Sequence, residues 1–422
     1  MTSQPGDRDA RPAELDEVVR AWAASGAMAL TGRAGGPPVG PPARLVPGLR
    51  EVGDRLVAGV VALGGPPLTL DPLALLAERA AIAGLRPGGQ VSCGGATRLL
   101  PARDRWLAVS LARPEDWSLV PAWLEVDGAL GWDLVTDEAA RRDPHAVVER
   151  AVLLGIPAAL LPPDDDTSTH SPVADLPVRI EAVPGPAPPS RPLADLVVVD
   201  LSSLWAGPLC GSLLAAAGAT VIKVESTDRP DGARRGPRPF FDLLNAGKRA
   251  VAVDLRTPDG VATLDRLVRS ADVVIEASRP RALEQLGIDP RRVLQRGQVR
   301  VWASITGHGR SGPGANRAAF GDDAAVAGGL VCWSDGTPCF CADAVADPTS
   351  GLVAATAVVE ALARGGRCLL DVSMAAVAAR FAGPTLPVPA GTTAAPPRAR
   401  RPSAAAPRLG EHTGSVLATL AR

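Results

Sequence analysis

The stretch that decides the fold is "LVVVDLSSLWAGPLCGSLLAAAGATVIKVES", residues 196–226. An apolar run ends in Asp200. A turn of small residues and a helix-like stretch follow, and a second apolar run closes on Lys223 and Glu225. This is the order of a nucleotide-binding β-α-β unit. The turn, Ser202-Ser203-Leu204-Trp205-Ala206-Gly207-Pro208, has no G-x-G-x-x-G, which argues against NAD or FAD. A helix starting after Gly207-Pro208 would aim its free N–H groups at the turn, where small residues let a ligand approach the backbone. Glu225 could accept a ribose hydroxyl and Lys223 could meet a phosphate. Plain packing of an α/β unit explains the segment equally well.

Working outward, further apolar runs at 251–253, 273–275, 299–305 and 368–373 alternate with helical patterns. That alternation predicts a doubly wound parallel sheet, an α/β fold, over residues 193–383. Ahead of it, residues 1–44 read as a polar, partly helical arm and 45–165 as a smaller α+β domain placed N-terminally. Residues 166–192 read as a Pro-rich linker, and 384–422 as a low-complexity tail with a short terminal helix.

Lys plus Arg is 44 against 45 for Asp plus Glu in 422 residues, which gives no reason to expect a nucleic-acid partner or a basic membrane anchor. The chain shows no run of about 18 apolar residues and no secretory leader, so a cytoplasmic protein without a membrane span is expected. Six cysteines in a chain of this length do not suggest a disulfide scaffold. Cys332, Cys339 and Cys341 match no common zinc spacing, so no metal is expected.

Several segments could carry chemistry. "RPDGARRGPRPFFDLLNAGKRAVAVDL" clusters Arg229, Arg234, Arg235, Arg238, Lys248 and Arg249 just after a strand end, which suits a phosphorylated ligand or a solvated loop. "VVIEASRPRALEQLGI" places Ser278 and Arg279 after another strand. A Gly-rich loop carries His308 and leads to Asp322-Asp323. Asp347 precedes Pro348 and a clean helical pattern, an arrangement that usually means an N-cap.

Together these segments resemble the family III CoA-transferases, the CaiB/BaiF group. The resemblance rests on "LADLVVVDLSSLWAGP", "GATVIKVE", "NAGKRAVAVDLRTPDG", "ADVVIEASRPRALEQLGI", "ASITGHGRSGP" and "VADPTSGLVAATAVVEAL", in family order over about 193–376. "GGQVSCGGATRLLPARDRWLAVSLARPEDW" is similar to the family's small domain, which ordinarily follows the nucleotide fold; here it precedes it, so the domain order is rearranged.

The resemblance implies a Rossmann-like CoA-transferase domain acting on an acyl-CoA and a carboxylic acid, with coenzyme A as a substrate portion and neither metal nor nicotinamide. It implies that Asp347 is the nucleophile. The carboxylate attacks the thioester to give a mixed anhydride, the CoA thiolate returns to form an aspartyl-CoA thioester, and the acceptor acid takes the CoA through a second anhydride. The racemase branch pairs its Asp with a His. That His position falls on Gly321, which disfavours a two-base racemase; Asp322, one step on, could substitute for the acidic residue common there in transferases. CoA-contact positions fall on Leu204, Trp205, Ala206, Ser226, Val253, Ser278 and Arg279, with Lys223 or Arg229 supplying charge where relatives place an Arg at Ser226. Family members form interlocked homodimers, so a homodimer is expected. The same resemblance leaves room for an acyl-CoA racemase or isomerase, or for a non-catalytic acyl-CoA-binding subunit.

Overall fold

The computed structural model describes residues 7–127, 130–163, 176–185 and 191–420. Its strands are β1 (Thr97–Ala102), β2 (Arg105–Ser110), β3 (Ala158–Leu160), β4 (Arg179–Ala182), β5 (Val197–Asp200), β6 (Thr220–Ser226), β7 (Arg249–Val253), β8 (Val273–Glu276), β9 (Val301–Thr306), β10 (Val331–Ser334), β11 (Thr337–Phe340) and β12 (Cys368–Ser373). Seven of them form one sheet in the order β4-β12-β9-β8-β5-β6-β7. Every pairing in that sheet is parallel except β4 against β12. The apolar runs explain this: β8 and β9 are buried along their whole length, as strands covered on both faces must be.

The chain leaves β5 in one direction, through β6 and β7, then returns to β8 and continues the other way through β9 to β12. Strand order therefore reverses between β5 and β8. In open α/β sheets the crevice outside the carboxyl ends of such strands is where ligands bind. At those ends lie the turn after Asp200 and the loop after Glu276.

β1, β2 and β3 form a separate antiparallel sheet, and β10 pairs with β11 as a hairpin. A core of its own, including Leu107, Val109, Trp123, Val135 and Val147, lies against the three-stranded sheet.

Two sequence expectations need correcting. The helix Leu45–Ala62, grouped above with the smaller N-terminal unit, buries Leu45, Leu49, Val52, Leu56 and Val60 in the same core as the helix Ala346–Ala363. Its apolar stripe was visible in the sequence, but a stripe does not say what it meets. A Cβ built on Gly59 would come within 2.6 Å of Val359, so glycine permits this close helix contact. Second, residues 179–182, inside the expected linker 166–192, form the antiparallel edge strand β4. Residues 166–175 and 186–190 of that stretch lie outside the described residues.

The tail 384–420 crosses the molecule and ends in the helix Thr413–Leu420. Arg400 grips the buried carboxylate of Glu78 through two bonds of 2.5 and 2.9 Å. The amide of Ala406 donates to Asp242, and His412 Nδ1 accepts from the amide of Ala250 on β7. Among the described residues no helix is long and apolar enough to cross a membrane.

Candidate active site

The turn after β5 is held from beneath. Asp200 is fully buried and pairs with Lys248 at 2.9 Å. The Lys248 ammonium also donates to Pro208 O at 2.8 Å and Asn245 Oδ1 at 3.1 Å, so its three protons are satisfied. Burial alone would raise the Asp200 pKa, but Lys248 and Lys223 outweigh it and hold the carboxyl below its ordinary value. The "NAGKR" segment thus anchors the turn.

Lys223 points inward as well. It reaches under the turn to Ser202 O at 2.9 Å and to Asp231 at 2.8 Å, and it is almost wholly buried. This corrects the reading of Lys223 as a phosphate contact, because buried carboxylates already take its charge. Glu225 is likewise engaged, by Arg234 at 2.6 and 2.8 Å and by the amide of Asp231, which leaves no room for the ribose role. Arg249 begins β7 and so lies at the amino end of the sheet, away from the crevice.

The remaining expected residues do line the carboxyl ends. Leu204 is exposed and left-handed (φ 70°), its N–H tied to Asp231 at 2.9 Å. Trp205 is buried edge-on against Phe240, with ring centroids 5.2 Å apart. Ala206 opens the helix Ala206–Ala216. Ser226 and Val253 are paired neighbours at the ends of β6 and β7, and Arg229 is exposed just beyond. Ser278 and Arg279 follow β8 and are half-buried. The Arg279 pKa is lowered, first by burial and then by the like charges of Arg281 and Arg113. Cations brought together this way form a place where an anion is welcome.

Asp347 lies in the first turn of the helix Ala346–Ala363. It is not the N-cap: that position is Val345, so the capping role suggested by the sequence is not the one it plays. Its backbone N–H donates to Ala344 O at 2.8 Å. The carboxylate abuts Gly321, where a built Cβ would stand 2.3 Å from Asp347 Oδ2 and 2.5 Å from Ala344 O. Gly321 thus leaves room for the Asp347 carboxylate, which any larger side chain there would meet. One turn along the helix, a Cβ on Gly351 would stand 2.6 Å from Ala206 O, so the Asp347 helix packs directly on the Trp205 turn.

Three more carboxylates surround Asp347. Asp322, from the helix Gly321–Ala327, is buried near Ser92 and the amide of Ala344, both of which favour its ionised form. Asp323 accepts from Ser110 Oγ at 2.8 Å and the amide of Phe320 at 2.9 Å. Asp343 is fully buried between Ala342 and Ala344, both of which have positive φ. Burial pushes the Asp347 carboxyl up to about 7; Arg79 opposes this, and Asp322, Asp343 and Asp323 add to it. Burial with Asp343 raises Asp322 to about 6, and burial raises Asp323 to about 7. Such values suit groups that change charge near neutrality.

Sequence reading missed the cation among these acids. Arg79, in the helix Glu78–Ala83, donates from Nε to Asp343 at 2.8 Å and from a terminal nitrogen to the other oxygen. Its guanidinium carbon lies 5.1 Å from the centre of the Trp205 ring. Burial works against its charge, but Asp343, with Asp322 and Asp347, holds the pKa above the ordinary arginine value. No local pattern around "LLAERAAIA" marks Arg79; only the fold carries it, with Ser92 and Ser110, to the Asp347 helix.

Comparison with known proteins places the chain in a family. Residues 193–413 match the model of CoA-transferase family III. The chain is 35% identical over 214 residues to a succinate–glutarate CoA-transferase of Agrobacterium fabrum, covering 44% of this chain and 53% of that protein. It is 38% identical over 151 residues to a succinyl-CoA–D-citramalate CoA-transferase of Chloroflexus aurantiacus, covering 34% and 37%. Among solved structures, Rv3272 from Mycobacterium tuberculosis aligns at 34% identity with a TM-score of 0.41, covering 44% of this chain and 54% of that one. The chain spans about half the length, or less, of the curated relatives it matches. The matched segment is more than half of this chain and contains the Trp205 turn, Gly321 and Asp347. The chain belongs to CoA-transferase family III.

Proposed function

We propose that this protein moves CoA from an acyl-CoA to a carboxylic acid in the cytoplasm, with Asp347 as the nucleophile. The observation that carries the reading is the placement of Asp347: a carboxylate in the first turn of a helix, packed against the Trp205 turn and beside the cation Arg79. The Asp347 oxygen attacks the thioester carbonyl and the C–S bond breaks, giving an acyl–aspartyl anhydride and CoA thiolate. The thiolate attacks the aspartyl carbonyl and the donor acid leaves. The acceptor carboxylate displaces the thiolate again, and the thiolate then takes the acceptor's acyl carbon, restoring Asp347. Each step exchanges one anion for another, so no external proton is needed.

The helix dipole and the Arg79 charge both favour anionic species here. CoA would enter along the carboxyl ends of β5, β6 and β8, past Leu204, Trp205 and Ala206, with Ser226 and Val253 on one side and Ser278 and Arg279 on the other. Arg279 and the exposed Arg229 are the cations for its phosphates, and Asp322 stands behind the nucleophile. A two-base racemase is less well supported, because Gly321 offers no second base. A homodimer belongs to the same reading and is tested by light scattering.

Incubation with acyl-CoA followed by hydroxylamine and digestion tests the chemistry. A modified peptide containing Asp347 is expected, and Asp347→Ala should lose it while still binding CoA. Undiminished transfer by Asp347→Ala would sink the assignment.

A further inference from the structure

The acceptor in this reaction is itself an anion, and it must enter a pocket that already holds Asp322, Asp323, Asp343 and Asp347. Arg79 is bonded to this group through Asp343, while Arg317 interacts with Asp323 at longer range. Asp343 occupies only one edge of its guanidinium, Nε and one terminal nitrogen. A guanidinium has five N–H donors in a rigid fork, so the opposite edge remains able to grip a second carboxylate. The planar group is fixed for that purpose, by Asp343 at its edge and by the Trp205 ring against its face at 5.1 Å. Its side chain retains 29% exposure while Asp343 retains none, so solvent reaches Arg79 but not the acid it is bonded to. Glu78, the preceding residue, is clamped by Arg400, which holds the short helix in place.

We propose that Arg79 is the receptor for the acceptor acid's carboxylate, so that the N-terminal part of the chain determines which acid receives CoA. The inference rests on the transferase reading above. In the step concerned, a carboxylate oxygen of the acceptor attacks the aspartyl-CoA carbonyl and the CoA thiolate leaves. Arg79 aims the incoming oxygen and offsets repulsion from the neighbouring acids. In the acceptor-free attack of Asp347 on the donor it supplies only its charge, which Arg79→Lys retains.

The two half-reactions separate the possibilities. Acetyl-, succinyl- and octanoyl-CoA with hydroxylamine, and no acid, report labelling of Asp347; acetate, oxalate and glutarate then report transfer. Arg79→Lys keeps the charge but cannot hold Asp343 edge-on and a ligand together. Its labelling should stay within about threefold of the parent while KM for the preferred acid rises about tenfold or more. The double variant R79Q/D343N removes both members of the buried pair and so leaves no orphaned charge. Labelling should fall by no more than about tenfold, because the opposed charges beside Asp347 are removed together, while transfer slows about a hundredfold. Labelling and transfer falling in parallel in both variants would show a purely structural Arg79 and overturn the proposal, as would an unchanged acceptor KM, or labelling followed by transfer to none of the three acids. Absence of Asp347 labelling in the unaltered protein with all three donors would instead remove the transferase reading, and this inference with it.

Discussion

Two helices of equal length lie side by side in the core, and only one begins in a reactive group. Leu45–Ala62 and Ala346–Ala363 each run 18 residues and bury their apolar sides together. Each carries a Gly-Leu pair early on, Gly48-Leu49 and Gly351-Leu352, four residues after Arg44 and Asp347 respectively. The segment before Leu45 is extended and tied to the tail: Ala43 N–H donates to Pro384 O at 2.9 Å and Leu386 N–H to Pro41 O at 3.0 Å. Arg44 there lines an open cleft of about 1020 Å³ with Trp333 and Leu386. The segment before Ala346 instead bends through left-handed Ala342 and Ala344. For L-residues such conformations cost about 1–2 kcal/mol each. That bend places Asp343 on Arg79 and lets Asp347 meet Gly321. The difference between scaffold and site therefore lies in the few residues that lead into the helix.

The comparison breaks most sharply at Gly321. Its φ is not in the left-handed region, so its torsions suit alanine, yet the added Cβ would stand 2.3 Å from Asp347 Oδ2 and 2.5 Å from the backbone oxygen of Ala344. The carboxylate and the Ala344 turn must both shift, and a displacement of this kind costs about a hundredfold in rate. Gly321→Ala should lower hydroxylamine labelling by about that factor with little change in CoA affinity. Labelling equal to the parent's would mean that Asp347 does not need this pocket.

A smaller effect is expected from pH. Asp347 must be ionised to attack, and its pKa is raised to about 7. Labelling should therefore climb with pH and level off above about 7, falling about tenfold per unit below it. A flat profile from about pH 5 to about pH 8 would contradict the raised value.

Stability gives the smallest and most selective contrast. The folded state holds the Asp347 proton more tightly than the unfolded chain, whose ordinary value is 3.8. The resulting stabilisation is complete below that value and is lost as pH rises to about 7. Asp347→Asn should therefore be the more stable protein at about pH 8, by about 1–2 kcal/mol after allowance for partial solvent access, with the gain vanishing near pH 4. Arg44→Gln, at the start of the companion helix, should change stability by about 1 kcal/mol or less. It should leave Asp347 labelling intact. Urea unfolding at both pH values measures the pair; a Gln variant that loses labelling would erase the distinction between the two helices.

How much of this was legible depended on range. The strands β5, β8 and β9 could be read because burial on both faces leaves uninterrupted apolar runs. Asp347 was singled out only by the resemblance of "VADPTSG" to the family; the local pattern pointed to an N-cap, and that position is Val345. Lys223 was misread because a strand pattern does not tell whether a long side chain turns inward to Asp231 or outward to a ligand. β4 was missed because an exposed four-residue edge strand in Pro-rich surroundings carries little pattern. Arg79, Asp343 and Ser110 belong to a constellation that no window of sequence contains.

The Arg79–Asp343 bond has a further consequence, for the order in which the protein is made. Its partners are 264 residues apart in the chain, and the Glu78–Arg400 clamp joins residues 322 apart. Contacts of such separation bear a large loop-closure entropy and are reached late in folding. A growing chain would carry Arg79 through 264 further residues before the acid it binds exists, and the Arg400 that secures the helix would follow later still. The Arg79–Asp343 pair therefore forms only after both parts of the chain have been made, and the pocket it belongs to is a late product of folding.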